Sequence, residues 1–201
     1  MPKAVIFDYG AGNLLSLKVA LEKVGLKASI GSSTRQLRNA DAVVLPGVGS
    51  FSAALEKLDK VKQEIIDVAE RGVPLLGICL GLQLFFQDSE EGPGKGLSLF
   101  EGKSIKLPSS VKVPHMGWNT LRMTKESKLL DGIYDDSYVY FVHSLYPVPL
   151  DKGLVCTETD YGVIFASAID NENVFGTQFH PEKSGEIGLK ILENFARIVA
   201  K

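Results

Sequence analysis

The chain has 201 residues, 45% hydrophobic and 23% charged, with a formal net charge of -2, which suits one well-buried domain over residues 1–201. Near balance of charge gives no electrostatic reason to expect a nucleic-acid partner, and two cysteines are too few for a disulfide framework and fit a reducing cytosol. The apolar run Ala4–Phe7 is broken by Asp8 and is too short for a signal-peptide core, and no run reaches membrane-spanning length, so the expectation is a soluble, cytoplasmic protein.

Lys3–Phe7 reads as a buried strand. Asp8-Tyr-Gly-Ala-Gly-Asn13 follows it but lacks the third glycine of a dinucleotide fingerprint, since position 15 is Leu15, so Asn13 reads as a helix N-cap and no cofactor is expected. Leu14, Leu17, Leu21 and Val24 repeat at helical spacing until Gly25. Lys27–Ile30 and Ala42–Leu45 read as strands, and Val61–Arg71 as a helix with Val61, Ile65, Val68 and Ala69 on one face. Strands alternating with helices predict a parallel sheet covered on both faces, with ligands at the carboxyl ends of its strands.

Pro74–Ile78 is the next strand, and it runs into Gly77-Ile-Cys-Leu-Gly81 and then a helix-like stretch, Leu80 to Gln87. Small residues two before and two after Cys79 allow the cramped strand-to-helix corner of a nucleophile elbow. A helix N-terminus beside the sulfur favours thiolate over thiol. Free cysteines are more often packing, which is the reading for Cys156, but Cys79 has the flanking glycines. Leu45-Pro-Gly-Val-Gly-Ser50 also follows a strand, and its glycines allow backbone N–H groups to turn toward an oxyanion; Val48 and Leu80 are the candidate donors.

Beyond Glu90-Glu-Gly-Pro-Gly-Lys-Gly96, a loop, short strands are expected at Ser104–Leu107, Thr120–Met123, Tyr138–His143, Leu154–Glu158, Val163–Ala168 and Val174–Phe179. Their spacing predicts antiparallel additions to the parallel core. Val113-Pro-His-Met-Gly-Trp-Asn119 reads as a Gly/Pro-punctuated loop that forms a contact surface, and no metal-ligand cluster accompanies His115. His143 ends an aromatic strand, where a hydrogen-bonded, partly buried histidine is the ordinary outcome. His180 stands at a strand's end before Pro181, with Glu182 two residues on. Cys79, His180 and Glu182 together form a candidate triad of nucleophile, proton shuttle and orienting carboxylate. Ile187–Ala200 is a final helix with Leu189, Leu192, Ala196 and Val199 on one face and i,i+4 pairs at Glu186/Lys190 and Glu193/Arg197.

Pro46-Gly-Val-Gly49, Gly77-Ile-Cys-Leu-Gly81 with Gln83, and Phe179-His-Pro-Glu182 resemble the class I, triad-type glutamine amidotransferases. Asp8–Asn13, Pro114–Asn119 and Lys183-Ser184 are similar to the branch that serves imidazole glycerol phosphate synthases as the glutaminase subunit. That resemblance implies an α/β fold of this family, a central mostly parallel sheet flanked by helices with antiparallel strands added in the second half. It implies that Cys79 forms a glutamyl thioester, that His180 acts as base and acid, and that Glu182 orients it. Gly47, Val48 and Leu80 would border the oxyanion hole, and Gly49, Gln83 and the main chain at His143, Ser144 and Leu145 would hold L-glutamine. Ammonia would pass to a (β/α)8-barrel cyclase subunit in a heterodimer of histidine biosynthesis, with Asn13, His115, Trp118, Asn119 and Lys183 at the docking face. Hydrolysis would stay slow until the partner binds its nucleotide, an oxyanion donor in Pro46–Gly49 being misaimed at rest.

Sister glutaminases of anthranilate type carry a histidine after the elbow glycine and a Pro-Gly-Pro-Gly loop, where this chain has Leu82 and Pro46-Gly-Val-Gly49. Pyridoxal phosphate glutaminases lack the Pro-His-Met-Gly-Trp segment. A cysteine peptidase on a related fold and a non-catalytic scaffold are the readings from other classes.

Overall fold

The computed structural model describes residues 1–10, 14–47 and 49–201; the expectations for Asn13 and Val48 lie outside these. The first half runs β1 (Lys3–Phe7), α1 (Leu14–Lys23), β2 (Lys27–Gly31), α2 (Thr34–Arg38), β3 (Ala42–Leu45), α3 (Phe51–Leu58), α4 (Lys62–Glu70), β4 (Leu75–Ile78) and α5 (Leu80–Gln83). The second half runs β5 (Asp88–Ser89), β6 (Gly102–Lys106), β7 (His115–Thr120), β8 (Arg122–Met123), β9 (Tyr138–His143), β10 (Leu145–Pro149), β11 (Val155–Asp160), β12 (Ile164–Asn171), β13 (Val174–Thr177) and α6 (Gly185–Val199).

An eight-stranded sheet has the order β2-β1-β3-β4-β13-β12-β11-β8. The first five of these strands are mutually parallel, and β12, β11 and β8 continue antiparallel. Alternation along the strands divides the core into two clusters. Ala4, Ile6, Leu76 and Ile78 pack with α1 and α6, whereas Val5, Phe7, Val43 and Leu75 pack with α2, α3 and α4. The expected α/β architecture is therefore present, and the carboxyl ends of β3, β4 and β13 lie side by side in its middle.

Several expectations change: β13, grouped with the antiparallel additions, pairs parallel to β4, and the strands expected at Ser104–Leu107 and Tyr138–His143 fall in two small separate sheets, β10-β6-β5 and β7-β9, instead of joining the core sheet. Helical structure after the elbow stops at Gln83 instead of Gln87, because the chain tightens through Phe85 N→Leu82 O and Phe86 N→Gln83 O while both phenylalanines turn into the core. The carbonyls of Leu84, Phe85 and Gln87 then accept from Leu97, Phe100 and Gly96 of the following loop. Val113–Asn119 is not a free loop: from His115 it is β7, paired antiparallel with β9 so that His115 faces His143 and Trp118 faces Tyr140. Helix α6 buries Leu192 and Ala196 of the expected stripe but is turned so that Leu189 and Val199 are only half-buried. Its buried residues are Gly188, Ile191, Leu192, Asn194, Phe195 and Ala196. Burying Ile, Leu and Phe is worth about 1.5–3 kcal/mol each, against about 0.2–0.5 for an i,i+4 ion pair, so packing decides the rotation. Arg197 accordingly donates to Asn194 (2.6 Å) and reaches Asp131 (3.5 Å).

A tight crossing in this arrangement lies under the elbow. A Cβ placed on Gly81 would sit 2.0 Å from the Leu45 carbonyl oxygen, so α5 rests directly on the end of β3. Gly81→Ala should therefore cost about 2–3 kcal/mol by overpacking, lowering Tm by roughly 5–10 °C for a chain of this size. A thermal melt of the variant unchanged from the parent would show that the crossing has slack.

Candidate active site

Cys79 follows β4 with φ +48° and ψ -101°, a conformation that strains any residue bearing a Cβ. Its N–H donates to the Thr177 carbonyl at 2.7 Å, which fixes the corner against β13. The glycines on either side are both needed for space: a Cβ at Gly77 would lie 2.7 Å from the Gly81 backbone and 2.6 Å from Phe85. Leu80 opens α5, so its N–H has no partner within the helix.

Gly47, after β3, closes the same corner. A Cβ there would stand 2.8 Å from the Ile78 carbonyl oxygen, 2.9 Å from Cys79 Cβ and 2.9 Å from His180 Cε1. One point in space thus touches the loop after β3, the cysteine after β4 and the histidine after β13. His180 is held there by its N–H bond to Tyr140 O and by Ser184, whose hydroxyl donates to His180 O (2.7 Å) and accepts from Tyr140 N (2.9 Å). The short turn Pro181–Lys183 brings Glu182 back, and His180 Nδ1 donates to Glu182 Oε1 at 2.8 Å. Among the described residues Nε2 finds no hydrogen-bond partner, and Glu182 Oε2 is likewise buried without one.

The three histidines have different electrostatic fates. Burial works to lower the His180 pKa, but the Cys79 sulfur and the Glu182 carboxylate outweigh it and push it up to about 10. His115 is lowered by burial to about 4, and His143 to about 3 by burial and by neighbouring His115 and His180, opposed by its bond to Leu145. His143 Nδ1 donates to Leu145 O (2.8 Å) and its Nε2 accepts from His115 Nδ1 (2.9 Å). His115 is stacked between Phe141 and Tyr161, with centroids 4.8 and 3.9 Å away.

A cavity of about 260 Å3 opens over the cysteine, lined by Gly47, Gly49, Cys79, Leu80, Gln83, Glu91, Pro114, Val142, His143, Ser144, Leu145, His180 and Lys183. It gathers every described candidate for the triad, oxyanion loop and substrate contacts except Glu182, which stands behind His180. A wider groove of about 890 Å3, between Met123–Ile133 and the end of α6, holds none of them. Of the residues expected at a docking face, Trp118 is 55% exposed beside Met116 (62%) and Tyr138 (60%), and Lys183 is exposed at the cavity. His115 is instead buried, and half-buried Asn119 donates to Asp160 O at 2.9 Å and approaches His115 Nε2 at 3.4 Å.

Sequence reasoning missed Glu91 and Gln178. Glu91 sat in a stretch read only as a loop; its Oε2 accepts from Phe51 N (2.8 Å) at the start of α3 and it lines the cavity. Gln178 lies two residues before His180, a spacing that in an extended segment returns to the same side, and its Nε2 donates to Cys79 Sγ at 3.3 Å.

Residues 5–199 match the family "Glutamine amidotransferase class-I". The chain is 50% identical over 198 residues to the imidazole glycerol phosphate synthase subunit HisH of Archaeoglobus fulgidus, covering 98% of each chain. It is 48% identical to the protein of the same name from Pyrococcus furiosus, covering 98% of this chain and 100% of that one. Among solved structures, a chain of PurLQS from Thermotoga maritima superposes with a TM-score of 0.77 at 23% identity, covering 98% of each chain, a likeness of fold.

The electrostatics predict a definite titration. His180 should remain protonated at pH 8 and lose its proton only as pH rises through about 10, whereas His115 and His143 should stay neutral down to about 4 and about 3. Between 6.5 and those low values the unfolded chain binds more protons at His115 and His143, so their contribution to stability is lost as pH falls through that window. The His180 contribution has the opposite sense, present below 6.5 and lost toward 10. Histidine 15N chemical shifts across pH read all three sites, and a neutral His180 at pH 7 would contradict the assignment.

Proposed function

The chain belongs to the class I glutamine amidotransferase family, and on that premise we propose that it is the glutaminase subunit of an imidazole glycerol phosphate synthase, working in the cytoplasm in histidine biosynthesis. The observation that carries the chemistry is the meeting of Gly47, Cys79 and His180 at one point, with Glu182 on the far nitrogen of the imidazole.

With the proton of Cys79 already resting on His180 Nε2, the thiolate attacks the side-chain carboxamide carbon of L-glutamine. The oxyanion that forms takes backbone N–H bonds from Leu80 and Val48, with Gly47 leaving the room. Collapse breaks the C–N bond, and the His180 proton goes to the departing nitrogen as ammonia. Water, deprotonated by His180, then cleaves the glutamyl thioester to glutamate. Glu182 holds the imidazole with Nε2 toward the sulfur and stabilises its positive form, the role an orienting carboxylate plays in any such triad. The ammonium and carboxylate of the substrate find Glu91 and Lys183 among the lining residues, beside Gln83 and the main chain at His143 and Ser144.

Ammonia made in this cavity is proposed to pass to a (β/α)8-barrel cyclase subunit, which forms imidazole glycerol phosphate and aminoimidazole carboxamide ribotide. The exposed Met116, Trp118 and Tyr138 beside the site support a docking face there, to which the resemblance adds Asn13, Asn119 and Lys183. His115 would act from beneath that face. Docking would shift Pro46–Gly49 toward the conformation that aims the Val48 N–H at the oxyanion. The cavity is smaller than the roughly 300–1,000 Å3 that drug-sized ligands occupy, which favours a free amino acid over a peptide.

Glutamate release, assayed for the chain alone and with a liganded cyclase subunit, tests this reading. We expect low activity alone, strong stimulation by the liganded partner, and loss of about 10^4-fold or more in Cys79→Ala. Steady activity without stimulation would point to another acceptor enzyme, and unchanged turnover in Cys79→Ala would end the catalytic assignment.

A further inference from the structure

We propose that Gln178 is a further catalytic residue, a fixed hydrogen-bond donor to the sulfur of Cys79 that stabilises the thiolate; the inference rests on Cys79 being the nucleophile of the reaction above. Gln178 is fully buried, and its side chain bridges two groups: Nε2 lies 3.3 Å from Cys79 Sγ, and Oε1 lies 3.1 Å from Gln83 Nε2.

The direction of these bonds does not depend on how the amides are drawn. Gln83 also lies 3.0 Å from the Leu145 carbonyl, which only accepts, so the Gln83 end facing Leu145 must be its NH2. That NH2 also faces Gln178, which must therefore present its oxygen to Gln83. Its own NH2 is then left for the sulfur. The Leu145 carbonyl is held in turn by a second donor, His143 Nδ1 at 2.8 Å, and His143 is kept in that tautomer by the hydrogen bond its Nε2 accepts from His115 Nδ1. Two donors converge on one carbonyl and pin the polarity of the whole chain, so Gln178 cannot flip without leaving two NH2 groups face to face.

The sulfur's other surroundings make this donor matter. The Val142 carbonyl lies 3.7 Å from Sγ, where it accepts from the thiol but repels the thiolate. Gln178 offsets that repulsion while the proton rests on His180. A neutral donor at this distance favours the charged form of an acid.

The test is the pH dependence of Cys79 alkylation by iodoacetamide in the full chain, compared among the parent, Gln178→Met and Gln178→Leu. Both substitutions keep apolar volume and remove the donor. We expect each to alkylate about tenfold more slowly at neutral pH, with the profile displaced to higher pH, and glutamine turnover to fall in kcat. Profiles that coincide with the parent's in a folded variant would overturn the proposal, because a packing role does not move them. Should both variants fail to fold, the parent labelled with side-chain 15N-glutamine decides: one side-chain NH2 pair should titrate in step with alkylation and stop titrating in Cys79→Ala. No such pair would refute it. A parent that turns over no glutamine but shows the titrating amide would separate failure of the glutaminase reading from failure of this one.

Discussion

Everything at the candidate site depends on a single strained backbone conformation. Cys79 sits at φ +48° because β4 must end and α5 begin within one residue, under the weight of β3. Such a conformation costs about 1–3 kcal/mol and persists only where its surroundings leave no alternative. Here the constraint is built from absent side chains: Gly77, Gly81 and Gly47 each stand where a Cβ would strike backbone. The same compression that stores the strain delivers Cys79 to His180, since the loop after β3 touches both. Adjacent parallel strands then do the rest, because β3, β4 and β13 release their chains at the same end of the sheet.

Around that corner the polar groups are sorted by charge. Glu182 and Cys79 hold His180 positive against the penalty of burial, while His115 and His143, also buried but without a carboxylate, are held neutral. The neutral pair lies on the β7–β9 ribbon directly beneath the exposed Met116 and Trp118. A continuous series of hydrogen bonds thus runs from Asn119 through His115, His143, the Leu145 carbonyl, Gln83 and Gln178 to the nucleophile. Buried networks of this kind are rigid when every member is satisfied, and this one fixes the donor at the sulfur from a strand at the surface.

The parts of the site written in local sequence were readable there. Gly-x-Cys-x-Gly announces its corner because the steric demand falls on immediate neighbours, and His-Pro-Glu closes its own hydrogen bond within a three-residue turn. The strands β1 through β4 were likewise legible as short apolar runs, with the stripes of α1 and α4 among them, whereas α2 and α3 were not read. What escaped notice depends on distant partners. Val113–Asn119 reads as a loop because Pro114 and Gly117 punctuate it; it is a strand only because β9, some twenty residues later, pairs with it. The run after Cys79 has helical composition, yet Phe85 and Phe86 gain more by entering the core than by extending α5. Gln178 and Glu91 carry no motif of their own, and only the folded chain brings them to the cavity.

The central claim is that Cys79 is a nucleophile that carries the glutamyl group. The direct measurement is mass spectrometry of protein quenched in acid during turnover of glutamine, with peptides mapped across both cysteines. The account predicts a glutamyl adduct confined to the peptide containing Cys79, accumulating more in a variant slowed at thioester hydrolysis. Turnover with no adduct, or an adduct on Cys156, buried in its strand with its thiol pushed up to about 12, would contradict it.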